Sequence, residues 1–157
     1  MSRGKAAPKR VTSPDPVFNS ELVGRFINFL MERGKKSVAQ AIVYDALEIV
    51  KTKKKEDPVK IFEQVISTAK PQVEVRSKRV GGANYQVPMP VVGKRQDALA
   101  FRWIITAAKA RKGPMAKKLA HEFLDILEGT GGTIKKKEDV HRMAEANKAF
   151  AHFARRG

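Results

Sequence analysis

The chain has 157 residues, 42% of them hydrophobic, which is the length of one domain with enough apolar side chain for a real core. Its 32 lysines and arginines outnumber 16 acids, giving a formal charge of +16, an excess that opposes compaction and points to a polyanionic partner. There is no cysteine, which excludes disulfides and thiolate chemistry, and no apolar run approaches the roughly 18 residues that cross a bilayer.

Residues 1–17 carry Arg3, Lys5, Lys9 and Arg10 with three prolines and no acid before Asp15, so a basic, flexible tail is expected until a partner orders it. The tail lacks the apolar stretch of a signal peptide, which favours a soluble, intracellular protein; a short organelle transit peptide shares the same charge bias. A first helix is expected after Asn19 as N-cap, with Phe18 stapled onto Val23. Leu22, Val23, Phe26, Ile27 and Leu30 form its apolar stripe, and Gly34 ends it. Lys35 and Lys36 follow. Ser37-Val-Ala-Gln40 has the spacing of a capping box and opens the second helix, whose Ile42, Ala46, Leu47, Ile49 and Val50 turn inward. That helix closes on Lys51, Lys53, Lys54 and Lys55, where cations suit the dipole and a solvated end is the simpler explanation. Asp57-Pro58 starts a third helix, with Phe62, Val65, Ile66 and Ala69 facing the core, and Lys70-Pro71 stops it.

Residues 71–91 alternate in polarity on either side of Gly81-Gly82-Ala83, the pattern of a β-hairpin. A two-residue loop at Gly81-Gly82 would pair Arg76 with Val87 and Lys78 with Tyr85, mixing charge and apolar groups on both faces. A three-residue loop pairs Val75 with Met89 and Ser77 with Val87. It gathers Val73, Val75, Val87, Met89 and Val91 on one face, with Arg79 and Tyr85 nearer the tip. Arg76, Lys78 and Gln86 then share the other face, so this second register is expected. A lone ribbon is marginal in water and needs something to lie against. Its cations suit phosphates, its tyrosine suits a base, and its bare glycine tip allows close backbone approach.

The fourth helix is expected over 94–112, with Leu99, Trp103, Ile104, Ile105 and Ala108 making it the central one. Arg95, Arg102 and Lys109 lie seven apart on a narrow stripe. No acid occurs from Ala98 to His121, so pairing within the helix leaves these cations unneutralised and available for phosphate. Gly113-Pro114 breaks this helix, and a fifth carries Met115, Leu119, Phe123 and Leu127 to an end at Gly129. Gly129-Thr-Gly-Gly132 is expected to be a loop; it lacks the lysine of a phosphate loop. A last helix holds Val140, Met143, Ala144, Phe150 and Phe153. The expected fold is therefore mainly α: about six helices in one core, spanning 1–157 as a single nucleic-acid-binding domain, with a projecting β-hairpin arm.

Catalytic and metal chemistry find little support. His121-Glu122-Phe-Leu-Asp125 starts like a helical zinc motif but has Asp125 where the second histidine belongs. His141 and His152 lack further ligands. No catalytic residue, metal site or cofactor is expected, and a hydrolase built on His121 and Glu122 has no nucleophile or second base.

Three stretches are recognisable. Val73-Glu-Val-Arg-Ser-Lys-Arg-Val-Gly-Gly-Ala-Asn-Tyr-Gln-Val-Pro88, the Gly34-Lys35-Lys36 junction and Met143-Ala-Glu-Ala-Asn-Lys-Ala-Phe-Ala-His152 resemble the bacterial small-subunit ribosomal protein seven family. The resemblance implies a structural constituent of the small ribosomal subunit that binds the 3′ major domain of its rRNA and nucleates head assembly. It also implies a place near exit-site tRNA and the mRNA path, beside ribosomal proteins nine and eleven. By matching position, it implies rRNA contacts at Arg3, Lys5, Lys9, Arg10, Lys35, Lys36, Arg76, Lys78, Arg79, Lys94, Arg95, Arg102 and Lys109. Gly81, Gly82, Tyr85, Arg142 and Lys148 fall on the tRNA and mRNA side. The family commonly ends with an aromatic residue and Arg-Trp after the last histidine; this chain reads Phe153-Ala-Arg-Arg-Gly157. From the residues alone the competing alternative is an architectural DNA-binding protein with a basic β-arm, although the tip offers no apolar wedge to insert between bases.

Overall fold

Four phenylalanines from four helices meet at the centre of the molecule. Phe26 lies edge-on to Phe62 at 5.3 Å and to Phe101 at 5.4 Å between ring centroids, and Phe123 closes the group 5.7 Å from Phe62. All four are buried, and such edge-to-face pairs each add about 1 kcal/mol beyond the area they bury. The computed structural model describes residue 4 and residues 12–155, so the tail residues Arg3, Lys5, Lys9 and Arg10 lie outside the described residues. The helices that supply the rings are α1 (Glu21–Leu30), α3 (Pro58–Ala69), α4 (Lys94–Ala110) and α5 (Met115–Leu127). α2 (Lys36–Lys54) packs against α5, and α6 (Gly131–Ala146) packs against α4 and the hairpin. β1 (Val73–Val80) and β2 (Ala83–Pro90) form the antiparallel hairpin, and a 3-10 helix (Lys148–Arg155) lies along β2. Among the described residues no helix is long and apolar enough to cross a membrane.

The helical periodicity was legible, as were both ends of α3 and the starts of α4 and α5, while several other stops and starts were not. Ser20 rather than Asn19 caps α1: its Oγ accepts from the Val23 amide, while Asn19 takes φ 47°. α1 ends at Leu30, short of Gly34. The capping box at Ser37 does not form, because α2 already begins at Lys36 with no side-chain cap. Asp57 does cap α3, accepting from the Val59 amide at 3.2 Å. α4 stops at Ala110, and Gly131 and Gly132 belong to the first turn of α6 rather than to a loop. The expected last helix is two elements, with Phe150 and Phe153 on the 3-10 segment and outside the helical core.

Residues 12–17 are folded, contrary to the expected tail boundary. Asp15 is buried; its Oδ2 accepts from the Val17 and Phe18 amides at 3.0 and 3.1 Å, and its Oδ1 accepts from the Tyr44 hydroxyl at 2.7 Å. Gly24 lets this strap lie flat on α1, since a Cβ there would sit 3.0 Å from the Ser13 carbonyl.

The hairpin takes the register that segregation of polarity had rejected. Arg76 faces Val87, Lys78 faces Tyr85, and Val75 faces Pro88. Gly81 and Gly82, at φ 58° and 90°, form the two-residue turn with positive φ at both positions, whose twist matches the strands it joins. Polarity did not decide because both faces of the ribbon base are covered: Glu74 and Val87 are buried on one face, Val73 and Pro88 half-buried on the other. Gln86 therefore shares a face with Ser77 and Arg79, opposite Arg76 and Lys78.

Candidate nucleic-acid interface

α4 carries the basic stripe, and contacts from three other elements meet it along its length. At its first turn Arg95 donates to Glu74 of β1 at 2.9 Å, with exposed Lys94 beside it. One stripe step on, the Arg102 guanidinium lies 5.9 Å from the centre of the Phe29 ring of α1. At the far end Lys109 pairs with Glu32 in the α1–α2 junction and shares a groove with Lys35. Arg95 and Lys109 are 14 residues apart on a helix, about 21 Å. The stripe thus joins Arg76 of the hairpin, through Glu74, at one end to Lys35 and Lys36 at the other in one basic band. All of Lys35, Lys36, Arg76, Arg79, Lys94, Arg95, Arg102 and Lys109 are exposed.

The expected absence of ion pairing on the stripe is corrected by this geometry. Sequence showed that α4 itself offers no partner after Asp97; Glu74 and Glu32 come from elsewhere in the chain. Lys109 holds the Glu32 carboxyl below its ordinary range, first by hydrogen bonding and then by charge. Glu74 is a further participant that was not singled out. The only signal for it was its position two residues from Arg76 on an alternating strand, where both side chains share a face.

The band is set on the core by Asp97, which is buried one turn into α4. It pairs with Arg25 of α1 at 2.6 Å and with Lys70 at the end of α3 at 2.8 Å. Burial pushes this carboxyl up, and Lys70 and Arg25 together outweigh it, leaving it below the usual carboxylate range.

At the other end of the ribbon, Lys78 donates to the Phe153 carbonyl at 2.9 Å. Tyr85 is enclosed by Phe150 and Phe153, with centroids 5.1 and 5.2 Å away, so its ring is not an open stacking platform. Gly81 and Gly82 are exposed at the tip. Arg142 and Lys148 are exposed near the end of α6 and the start of the 3-10 helix, within reach of Asp139 and Glu145. Lys148 also lines a groove with Val73, Pro88 and Pro90 at the ribbon base.

Glu122 and His121 make no catalytic pair. Glu122 is fully buried, and its oxygens are taken by Arg111 and by the amide and hydroxyl of Thr133. His141 accepts from the Gln72 amide at 3.3 Å; burial and then Lys137 lower its pKa. Among the described residues, no group of three or more histidines and carboxylates converges as a metal site.

Residues 2–148 match the family described as ribosomal protein S7p/S5e. The small ribosomal subunit protein uS7 of Desulfotalea psychrophila is 55% identical over 155 residues, covering 98% of this chain and 99% of its own. The proteins of that name from Pelagibacter ubique and Thermotoga maritima are each 53% identical, covering 98% and 96% of this chain and 99% and 98% of their own.

Proposed function

The chain belongs to the ribosomal protein S7p/S5e family, and from that premise we propose how its basic surface holds RNA. It is a structural, non-enzymatic protein of the small ribosomal subunit that works in translation in the cytoplasm, with the ribosome and its rRNA as partners. Its α4 band clamps the 3′ major domain of small-subunit rRNA, and by drawing several RNA helices together it nucleates assembly of the head. The observation that carries this is the continuity of the band from Arg76 and Arg95 through Arg102 to Lys109 and Lys35.

The physics is neutralisation. RNA helices repel at close approach, and about 21 Å of regularly spaced cations on a rigid helix lets one protein bridge phosphates that would otherwise keep apart. Duplex RNA hides its base edges in a deep, narrow major groove, so recognition rests on shape and backbone. Arg3, Lys5, Lys9 and Arg10 add phosphate contacts in this proposal. The hairpin tip at Gly81 and Gly82, with Arg142 and Lys148, faces exit-site tRNA and the mRNA path, beside ribosomal proteins nine and eleven. Tyr85, packed between Phe150 and Phe153, serves this side by stiffening the arm.

Hydroxyl-radical footprinting of the protein on naked small-subunit rRNA tests the proposal. Protection should concentrate in the 3′ major domain and survive excess duplex DNA at fixed salt. Protection spread over the whole molecule, or lost equally to DNA, would overturn it in favour of a general polyanion binder.

A further inference from the structure

Among the cations of the ribbon base sits an acid, Glu74, only 6% exposed. Its two oxygens are divided between two elements. Oε1 accepts from Nε and Nη2 of Arg76 on its own strand. Oε2 accepts from Nε and Nη2 of Arg95 on α4, at 3.1 and 2.9 Å. Each guanidinium commits one edge to the carboxylate and keeps its other N–H groups. The Arg76 and Arg95 side chains are 53% and 43% exposed, so the uncommitted edges meet solvent side by side.

We propose that Glu74 is a positioning residue for RNA: it locks Arg76 and Arg95 together so that their free edges are aimed at neighbouring phosphates of one strand. This rests on the proposal that those two arginines contact phosphate. A free arginine samples many rotamers and loses them on binding, whereas these two are held before RNA arrives. Holding the ribbon to the body is not sufficient reason for the acid. The hairpin base is already tied to the body by Gln72 N–H to His141 Nε2 of α6 at 3.3 Å, by Gln96 Nε2 of α4 to the Pro71 carbonyl at 3.1 Å, and by buried Val87 and Val91. A buried ion pair is in general no stronger a tie than apolar packing of the same volume.

The test exploits a sign. Glu74→Gln raises the formal charge from +16 to +17, so charge counting alone expects tighter RNA binding. The positioning role expects the reverse. A glutamine oxygen can accept from one arginine, while its amide turns a donor toward the other and releases it. Affinity of the full chain for a naked 3′ major-domain rRNA fragment at fixed salt should fall roughly tenfold, the scale set by ordering one or two rotamer-rich side chains. Circular dichroism checks the fold. Arg76→Lys and Arg95→Lys keep the charge, lose the fork, and give a second readout independent of Glu74→Gln; each should weaken binding several-fold.

Unchanged or tighter binding by Glu74→Gln, or lysine variants that match the parent, would overturn the positioning role. Arg76→Ala with Arg95→Ala separates the two levels. If that double variant binds as the parent does, the phosphate contacts themselves are wrong. If it weakens while Glu74→Gln does not, only the role of Glu74 fails.

Discussion

Replacing Glu122 with glutamine changes one atom of a fully buried side chain and should cost a large part of the stability of the α5–α6 corner. Four donors converge on the carboxylate: Thr133 N–H at 2.9 Å, Thr133 Oγ1 at 2.6 Å, and Arg111 Nε and Nη2 at 2.9 and 2.6 Å. Glutamine accepts through a single oxygen. If that oxygen serves Thr133, the amide N–H groups point at a guanidinium that cannot accept them. Breaking a buried ion pair by removing one charge costs about 3–5 kcal/mol. The Arg111 side chain is 30% exposed and keeps Asp125, which lowers the expectation to about 2–3 kcal/mol. At about 2–4 °C per kcal/mol for a chain of this size, Tm should drop by roughly 4–12 °C in a reversible melt followed by circular dichroism at pH 7. A drop below about 1 °C, or a rise, would refute the assignment of this network as the tie between α5 and α6.

Three further expectations come from the same structure. Burial and then the hydrogen bond to Asp15 push the Tyr44 hydroxyl up to about 12, so its neutral form adds stability that is present below pH 10 and lost as pH rises through about 12. A spectrophotometric titration should show a step near pH 12 that Tyr44→Phe removes, and a Tyr44 midpoint at 10 would contradict the contact. Gly131→Ala should destabilise by roughly 2 kcal/mol, because its Cβ, at φ +92°, would meet Asp125 Cβ at 3.0 Å and Glu122 Oε1 at 3.2 Å. Gly81→Ala, also at positive φ but with open space around it, should cost only about 1 kcal/mol, and urea unfolding of both variants measures the difference.

What sequence made visible was whatever depends on neighbours in the chain. The apolar periodicity of Phe26, Phe62 and Phe123 placed three of the four central rings, and Asp57-Pro58 marked a helix start that the side chain does cap. Phe101 passed unnoticed because α4 is apolar over most of its circumference and no single face stood out. The hairpin register was misjudged by assuming that one face of the ribbon is wet. α6 and the 3-10 helix cover residues on both faces, and the local preference of Gly81-Gly82 for positive φ decided the turn. The ion pairs of the α4 band join residues 21 and 77 positions apart, Glu74 to Arg95 and Glu32 to Lys109, a separation at which spacing rules carry no information. The exposed cations were therefore legible as a set of residues, while the acids that pair with them were not.

The band itself is tested most directly by the salt dependence of binding. With the 3′ major-domain rRNA fragment, the slope of log K against log salt should become shallower by about 0.7–0.9 for each phosphate contact removed. Arg95→Ala, Arg102→Ala and Lys109→Ala combined should flatten it by about 2–3 while the fold remains intact. A slope identical to that of the parent chain would mean that α4 does not face RNA phosphates.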